Sequence, residues 1–189
     1  MRKYRVQIWR KPRLTELRRI QLRIYRANKY GNKHLVYWLQ KRFIRMISAK
    51  IMAVYQVTSF NKGFDISGTD KQFTLSPTEK VKLVESLTLY QKTNAIKRIW
   101  VPNLGKKGKG PLKIPAIRDR AIQALAKLAL EPEWESVFEV NLYGFRPGRS
   151  IHDAIEAIFS CFHWNKPKYV YDADIIKCFE RINHETLIG

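Results

Sequence analysis

Apolar residues recur along the first sixty positions at the spacing of helices. One run has an apolar residue every three or four positions, the repeat of one helix face: Leu14, Leu17, Ile20 and Ile24. A longer run keeps this repeat and places on one face Leu35, Trp38, Leu39, Phe43, Met46, Ile47, Ile51 and Val54. Gly31 and Asn32 separate the two runs. The pattern therefore predicts a helical hairpin that turns at these two residues.

A loop and a third helix follow the hairpin. Residues 58–76 are rich in turn-forming residues and predict a loop. The helix begins after it, because Ser76 can cap the first turn, Pro77 suits the first helical position and Glu79 completes a capping box. The apolar residues expected to face the core are Val81, Leu83, Val84 and Leu87.

The middle of the chain predicts a β-hairpin with a cationic tip. Alternation along Ala95–Val101 predicts one strand, and Pro111–Pro115 predicts its return. Lys106, Lys107 and Lys109 alternate with glycines in the tip, where backbone amides could approach a phosphate closely. A merely solvated turn is the alternative, and the spacing differs from that of a P-loop.

Two further helices and a strand are predicted in the last third. One helix spans Ile117–Glu131 and is expected to end at Pro132. Another begins at Ser150, with Asp153 three residues on, and a strand follows at Tyr169–Ile175. The apolar residues assigned to the two helix faces are Ile122, Leu125 and Leu128, and then Ile151, Ala154, Ile155 and Ile158. The chain is therefore expected to have an α+β fold.

Composition limits the classes of protein that fit. With 189 residues, 45% of them hydrophobic, the chain can bury a core and is not expected to be disordered. No run approaches the roughly 20 apolar residues of a membrane span. The basic N-terminus has no apolar stretch after it, unlike a secretory signal. The two cysteines of the chain lack metal-ligand spacing and are interpreted as reduced, which predicts an intracellular protein.

Positive charge is concentrated in the first third. The net charge is +20, and residues 1–60 hold 16 of the 36 Lys and Arg but only one acid, Glu16. A solvated helix face is the alternative, but such a face normally mixes signs, so this one favours a polyanion. Nucleic acid is the first candidate and an anionic membrane surface the second. The cations expected to bind phosphates are Arg18, Arg19, Arg23, Arg26, Lys41, Arg42 and Arg45.

Two pairs of arginines stand in contexts that suit binding. Arg118 and Arg120 lie near a helix start, where the helix dipole disfavours cations, so they could contact a triphosphate or pair with nearby acids. Arg146 and Arg149 flank a Pro-Gly turn that follows two aromatics. Aromatic side chains beside arginines can stack bases and hold the backbone of a strand.

Asp174 is the candidate catalytic residue. An apolar strand carries it into a turn, with Phe179 five positions on, as a polymerase presents its first metal-binding carboxylate. Phosphoryl transfer uses two Mg²⁺ ions about 4 Å apart. Asp172 lies on the same strand about 7 Å away and cannot supply the second set of ligands. A polymerase needs a second such carboxylate motif, and none follows Asp174, so the sequence predicts an incomplete magnesium site.

Several blocks, in this order, resemble the reverse transcriptase encoded by group II introns. The blocks are Ile114–Arg120, Leu130–Pro132, Tyr143–Ser150 with His152–Ala154, Asp172–Asp174 through Phe179, and Asn183–Glu185. Upstream, Asn61–Gly63 and Gly68–Asp70 are similar to the N-terminal extension motif of that family. The resemblance covers essentially all 189 residues.

The resemblance implies a role for individual residues. Asp174 would be the first metal-binding aspartate, and Phe179 would collide with a ribose 2′-hydroxyl and so favour deoxynucleotides. Arg120 matches a triphosphate contact, while Lys109 could replace a basic residue of the family pattern. The chain departs from that pattern at Asn103, where lysine is common, at Gly110–Leu112, and at Lys71, where glycine is usual.

The resemblance also implies an organisation and a function. Residues 1–60 would be a basic helical RNA-binding segment, 61–165 the fingers and 166–189 the start of an incomplete palm. The chain would be the truncated or split front part of a maturase that assists folding and splicing of a structured intron RNA. DNA synthesis would need a second chain carrying the rest of the palm and thumb, with Mg²⁺ in the completed site.

A second interpretation is a retained remnant that serves as a structural or RNA-binding subunit of a larger ribonucleoprotein or other assembly. Under either interpretation the expected location is the bacterial cytoplasm or an organelle. Weak RNA binding at physiological salt would favour a purely structural subunit, whereas salt-sensitive binding that does not need Asp174 would favour an RNA-binding factor.

Overall fold

The computed structural model describes residues 14–60, 70, 75–90, 92–102, 108–162, 168–176, 178–183 and 185–186. The chain divides into two compact units, Met1–Glu139 and Val140–Gly189. Within the described ranges the fold is mainly helical, with one two-stranded antiparallel sheet, which confirms the α+β prediction. The domain boundaries expected after residues 60 and 165 stay predictions.

The predicted helical hairpin is present. Helix α1 spans Leu14–Lys29 and helix α2 spans Lys33–Arg45. Gly31 occupies the turn with a φ of 74°, a conformation that glycine adopts without steric cost. The side chain of Asn32 then caps α2 by accepting a hydrogen bond from the backbone N–H of Leu35 at 3.0 Å.

The second apolar run does not form one continuous face. Met46 has an extended conformation that ends α2, and helix α3 begins anew at Ile47–Tyr55, followed by a π-helical turn at Gln56–Phe60. Ile47 is 70% exposed and Trp38 47% exposed, whereas Val36 is buried. The single-face prediction was wrong because apolar periodicity cannot detect a break at an apolar residue, and the break rotates the residues after it.

The third helix and the β-hairpin form as predicted. Helix α4 spans Pro77–Ser86, and Ser76 and Glu79 form both hydrogen bonds of the capping box. Strands β1, Lys97–Pro102, and β2, Lys109–Ile114, pair antiparallel. Most of the loop predicted at residues 58–76 lies outside the described residues, as do residues 103–107 of the hairpin tip.

Helix α5, Ile117–Glu135, continues through Pro132 and does not end there as predicted. A proline inside a helix has no N–H for the carbonyl four residues earlier, here that of Leu128. The side chain of Gln21 replaces the missing donor, since its Nε2 lies 3.0 Å from the Leu128 oxygen. The helix therefore tolerates the proline because α1 supplies the hydrogen bond from another part of the chain.

Exchange of Gln21 for alanine should cost about 1 kcal/mol of unfolding free energy, because it leaves a partly buried carbonyl without a donor. The same change in a Pro132→Ala background should cost much less, since the restored N–H can bond Leu128. A double-mutant cycle measured by denaturant unfolding tests this coupling. Equal losses from Gln21→Ala in the two backgrounds would show that Gln21 does not serve the proline.

One hydrophobic core joins the helices of the first unit. Its fully buried large side chains include Ile24 of α1, Leu39 and Phe43 of α2, Val54 of α3 and Leu125 of α5. Leu14 is 41% exposed and contributes less than its position in the pattern predicted. The apolar faces of the basic N-terminal helices thus pack on α5, and this packing turns their cationic faces outward.

The second unit contains helix α6, Ile151–Phe162, and the short helix α7, Cys178–Arg181. None of the residues of α6 is buried, so its predicted apolar set has no cover among the described residues. Tyr169–Ile175 is not part of a sheet there, contrary to the predicted strand. A strand requires backbone hydrogen bonds to a neighbour, and no described residue provides them.

Candidate nucleic-acid interface

Seven cations on α1 and α2 form the surface called here the basic face. Its members are Arg18, Arg19, Arg23 and Arg26 of α1 with Lys41, Arg42 and Arg45 of α2. All are exposed except Lys41, which is half-buried. On α1 they lie opposite the buried stripe of Leu17, Ile20 and Ile24, so burial of one stripe presents the other to solvent.

No acidic residue in the described part of the chain forms an ion pair with the basic face. The ion pairs found there join Lys33 to Glu133 at 3.4 Å, Lys127 to Glu131 at 3.6 Å and Arg118 to Asp119 at 3.9 Å. None of them involves a member of the basic face, and Glu16 forms no ion pair with it. The positive charge is therefore left for a ligand outside these residues.

Two exposed aromatics of α2 pair with cations of the basic face. The Lys41 ammonium lies 4.2 Å from the ring centroid of Tyr37, and the Arg42 guanidinium lies 5.6 Å from that of Trp38. Each pair has the i, i+4 spacing that brings side chains together on a helix. Sequence reasoning placed Trp38 in the core and overlooked Tyr37, although this spacing to a cation was a usable signal.

Two arginines lie in the first turn of α5, and their surroundings differ. Arg118 donates a hydrogen bond from Nη2 to the Lys92 carbonyl at 2.7 Å, and its Nε lies 3.9 Å from Oδ1 of the buried Asp119. The sequence left two roles open for Arg118, contact with a triphosphate or pairing with a nearby acid. The structure shows the pairing, with Asp119. Arg120 is half-buried, and its Nε has no hydrogen-bond partner in the described part of the structure. The contact with a triphosphate stays a prediction for Arg120.

Asp70 caps α5 from a distant part of the chain. Its Oδ2 accepts a hydrogen bond from the backbone N–H of Ile117 at 2.7 Å, which satisfies one of the free donors of the first turn. This carboxylate also sets a negative charge against the positive end of the helix dipole. Sequence reasoning connected Asp70 with a family motif but had no local signal for this role.

The cationic hairpin tip is described only in part. Lys109 is exposed at the start of β2, where it stands opposite Pro102. Gly108 before it has a φ of 127°, which only glycine adopts freely. Lys106 and Lys107 lie outside the described residues, as do Asn103 and Lys71. The phosphate contact predicted for this tip therefore stays a prediction.

The turn before α6 fixes its arginines through local contacts. Arg146 donates a hydrogen bond from Nη1 to the Leu142 carbonyl at 2.9 Å, and the Arg149 guanidinium lies 5.3 Å from the ring centroid of Tyr143. Phe145 is fully exposed with a φ of 59°, an uncommon conformation for an aromatic residue. The turn thus presents one aromatic ring to solvent and holds a second ring against a cation.

Asp153 completes a capping box at the start of α6. Its Oδ2 accepts hydrogen bonds from the hydroxyl and the backbone N–H of Ser150, and these bonds hold the pKa of Asp153 below its ordinary value of 3.8. Because the folded-state pKa is lowered, the stabilisation is present above the ordinary value and is lost as pH falls through the folded-state pKa.

A Ser150→Ala exchange should raise the pKa of Asp153 towards 3.8, because it removes the hydroxyl that stabilises the carboxylate. Carboxyl chemical shifts followed by NMR through an acid titration measure this change. Glu79 serves as the internal control, since the pKa of its side chain is lowered by Ser76 and should not move in the variant. An unchanged Asp153 midpoint would rule out Ser150 as the cause.

Asp174 and Asp172 are both exposed, in a described segment that belongs to no helix or sheet. No group of three or more His, Cys, Asp or Glu able to hold a metal ion occurs among the described residues. The described residues by themselves therefore do not make a magnesium site. The backbone of Phe179 belongs to α7, while its side chain lies outside the described residues.

The residues predicted for catalysis and nucleotide binding, and the two arginines predicted to bind RNA beside them, are divided between the two compact units. Arg120 and Lys109 belong to the first, and Asp174, Phe179, Arg146 and Arg149 belong to the second. Within the described ranges no helix is both long enough and apolar enough to cross a membrane. The members of the basic face all lie within the first unit.

Two family models match the chain in succession. The N-terminal domain of reverse transcriptase matches residues 7–87, and the reverse transcriptase (RNA-dependent DNA polymerase) model matches residues 101–189. The chain therefore belongs to the reverse transcriptase family. More narrowly, it belongs to the group II intron-encoded reverse transcriptase and maturase family and corresponds to the N-terminal part of these proteins.

Curated relatives carry this narrower assignment. The chain is 34% identical to group II intron-encoded protein LtrA of Lactococcus lactis subsp. cremoris over 140 residues. These residues make up 71% of this chain and 23% of that protein. It is 29% identical over 193 residues to maturase-like protein 1 of Euglena gracilis, covering 98% of this chain and 41% of that protein. Protein YkfC of Escherichia coli (strain K12) is 29% identical over 160 residues, 78% of this chain and 42% of that protein. The chain thus spans less than half the length of these relatives.

Proposed function

We propose that this chain is the RNA-binding N-terminal part of a group II intron-encoded maturase, and that it assists its intron RNA in folding and splicing. The basic face would hold the RNA through its phosphates, which makes binding dependent on salt and largely independent of sequence. We also propose that the protein acts inside the cell, in the bacterial cytoplasm or in an organelle.

The observation that carries the proposal is the single sign of charge on an ordered surface. Seven cations project from two helices whose opposite faces are buried in one core, and no described carboxylate neutralises them. Concentrated charge of one sign raises the free energy of the folded chain unless a polyanion offsets it. The exposed Tyr37 and Trp38 add rings on which unpaired bases of a nucleic acid can stack.

RNA-directed DNA synthesis is proposed only for a site completed by the rest of a palm, which a second chain could supply. There Asp174 would be one carboxylate ligand of Mg²⁺, and the ion would supply charge stabilisation to the transferred phosphoryl group. Arg120 and Lys109 would contact the triphosphate, and Phe179 would restrict the sugar. Arg146 and Arg149 would hold the backbone of a nucleic-acid strand.

An Asp174→Ala variant separates RNA binding from catalysis. Its affinity for a structured intron RNA should equal that of the wild type, because Asp174 is exposed and outside the basic face. Neither protein alone should extend a primer on an RNA template with dNTPs and Mg²⁺. Template-dependent extension by the wild-type chain would contradict the incomplete site, and loss of RNA binding in the variant would contradict the assignment of binding to the basic face.

A further inference from the structure

A cavity of about 340 Å³ lies at the corner where α2 gives way to α3, and it is called here the corner pocket. Its lining comes from two segments, Ile44, Arg45 and Lys50 on one side and Leu87, Thr88, Leu89 and Tyr90 on the other. A volume of this size falls at the lower end of the range found for small-molecule sites, about 300–1,000 Å³. It could therefore receive one nucleotide-sized group.

The break at Met46 and the end of α4 build this pocket. The extended conformation of Met46 ends α2, so Arg45 is the last residue of α2 and Lys50 lies in the first turn of α3. Leu87 ends α4 by donating its N–H to the Val84 carbonyl at 3.4 Å, and its side chain is fully buried. Burial of Leu87 anchors the residues that follow and sets Tyr90 at the rim.

The chemistry of the lining suits a nucleotide. Arg45 is exposed and Lys50 half-buried, and neither forms an ion pair in the described part of the chain, so both can meet a phosphate. Tyr90 is 86% exposed and offers a ring on which a base can stack. The leucines and Ile44 provide an apolar floor, and Thr88 adds a hydroxyl that can donate or accept a hydrogen bond.

The pocket is continuous with the basic face. Trp38, Arg42 and Arg45 follow one another on α2 at spacings of four and three residues, so they share one stripe of the helix. With a rise of 1.5 Å per residue, this stripe runs about 10 Å along the helix before it reaches the pocket. A nucleic-acid strand held by the basic face would therefore lead directly to the pocket entrance.

We propose that the corner pocket binds one unpaired nucleotide of the RNA, with its base stacked on Tyr90 and its phosphate between Arg45 and Lys50. Unpaired bases in loops and bulges are the parts of an RNA that a protein can splay out and stack on aromatic rings. This inference rests on the proposed RNA-binding function and deepens it, because the pocket selects a structural feature that phosphate contacts alone cannot distinguish from a paired helix.

The test compares two RNA hairpins that differ by one bulged nucleotide, with binding to the full chain followed by fluorescence anisotropy. The wild type should bind the bulged hairpin more tightly. Replacement of Tyr90 by alanine should weaken that binding by about 5- to 150-fold, the effect of losing one stacked base, and should leave binding of the paired hairpin unchanged. Tyr90→Phe should keep the preference for the bulge, whereas Arg45→Ala should weaken binding of both hairpins.

A matched control is Tyr30→Ala at the turn between α1 and α2, since Tyr30 is 84% exposed and does not line the pocket. This variant should retain the bulge preference. Equal affinity of the wild type for both hairpins, or a bulge preference that survives Tyr90→Ala, would overturn the pocket while leaving the basic face intact. Failure of the wild type to bind either RNA would overturn the proposed function itself. Displacement of the bulged hairpin by micromolar adenosine monophosphate would reassign the pocket to free nucleotides.

Discussion

Reversal of four charges on the basic face, with Arg19, Arg23, Arg42 and Arg45 all replaced by glutamate, should lower the affinity for structured RNA at least about 100-fold at 0.1 M salt. All four side chains are exposed and have no acidic partner among the described residues. Each lost phosphate contact should also reduce the slope of log affinity against log salt by about 0.7–0.9. Filter binding or anisotropy across a salt series measures both quantities.

The control for this variant reverses the same number of charges elsewhere. Lys82, Lys92, Lys113 and Lys127 are exposed and lie outside the basic face. Their replacement by glutamate changes the net charge equally, so it tests whether the overall charge or its location governs binding. Comparable losses of affinity in the two quadruple variants would show that RNA responds to net charge and not to this surface.

Exchange of Phe43 for alanine should lower the unfolding free energy by about 3–5 kcal/mol, which is a large share of the roughly 5–15 kcal/mol typical of a folded domain. Phe43 is fully buried and is among the largest side chains of the core shared by α1, α2, α3 and α5. Loss of its ring removes apolar burial and leaves a cavity that rigid neighbouring helices cannot close. Thermal unfolding followed by circular dichroism measures the change.

Trp38→Ala on the same helix is the matched comparison for Phe43→Ala. Trp38 is 47% exposed and stands beside Arg42, so its removal should cost less than about 1 kcal/mol of stability. It should still weaken RNA binding, because a stacking surface of the basic face is lost. Equal losses of stability from the two exchanges would mean that the core is not organised around Phe43.

The sequence predicted correctly those helix starts that depend only on residues close together in the chain. The capping box of Ser76 and Glu79 and that of Ser150 and Asp153 lie within four residues, and both formed as predicted. The predicted end of α5 at Pro132 was wrong because the helix continues there for a reason that is not local. Its tolerance within α5 depends on Gln21, which is separated from Leu128 by 107 positions, and no local pattern records such a donor.

The same distinction applies to the candidate site. A single sign of charge on an amphipathic hairpin is visible in the sequence, so the basic face could be predicted residue by residue. The corner pocket could not, because Arg45 and Tyr90 are brought together only by the break at Met46 and by the burial of Leu87. The strand that was to carry Asp174 needed a hydrogen-bonded neighbour, which the strand's own sequence does not encode.

The central claim is that the N-terminal helices hold RNA through its phosphates. The most direct test measures the affinity of the wild-type chain for two structured RNAs of unrelated sequence between 50 and 300 mM salt. The account predicts that log affinity falls linearly with log salt with a slope of about −3 or steeper, and that the slopes for the two RNAs agree. An affinity that does not change with salt would contradict it.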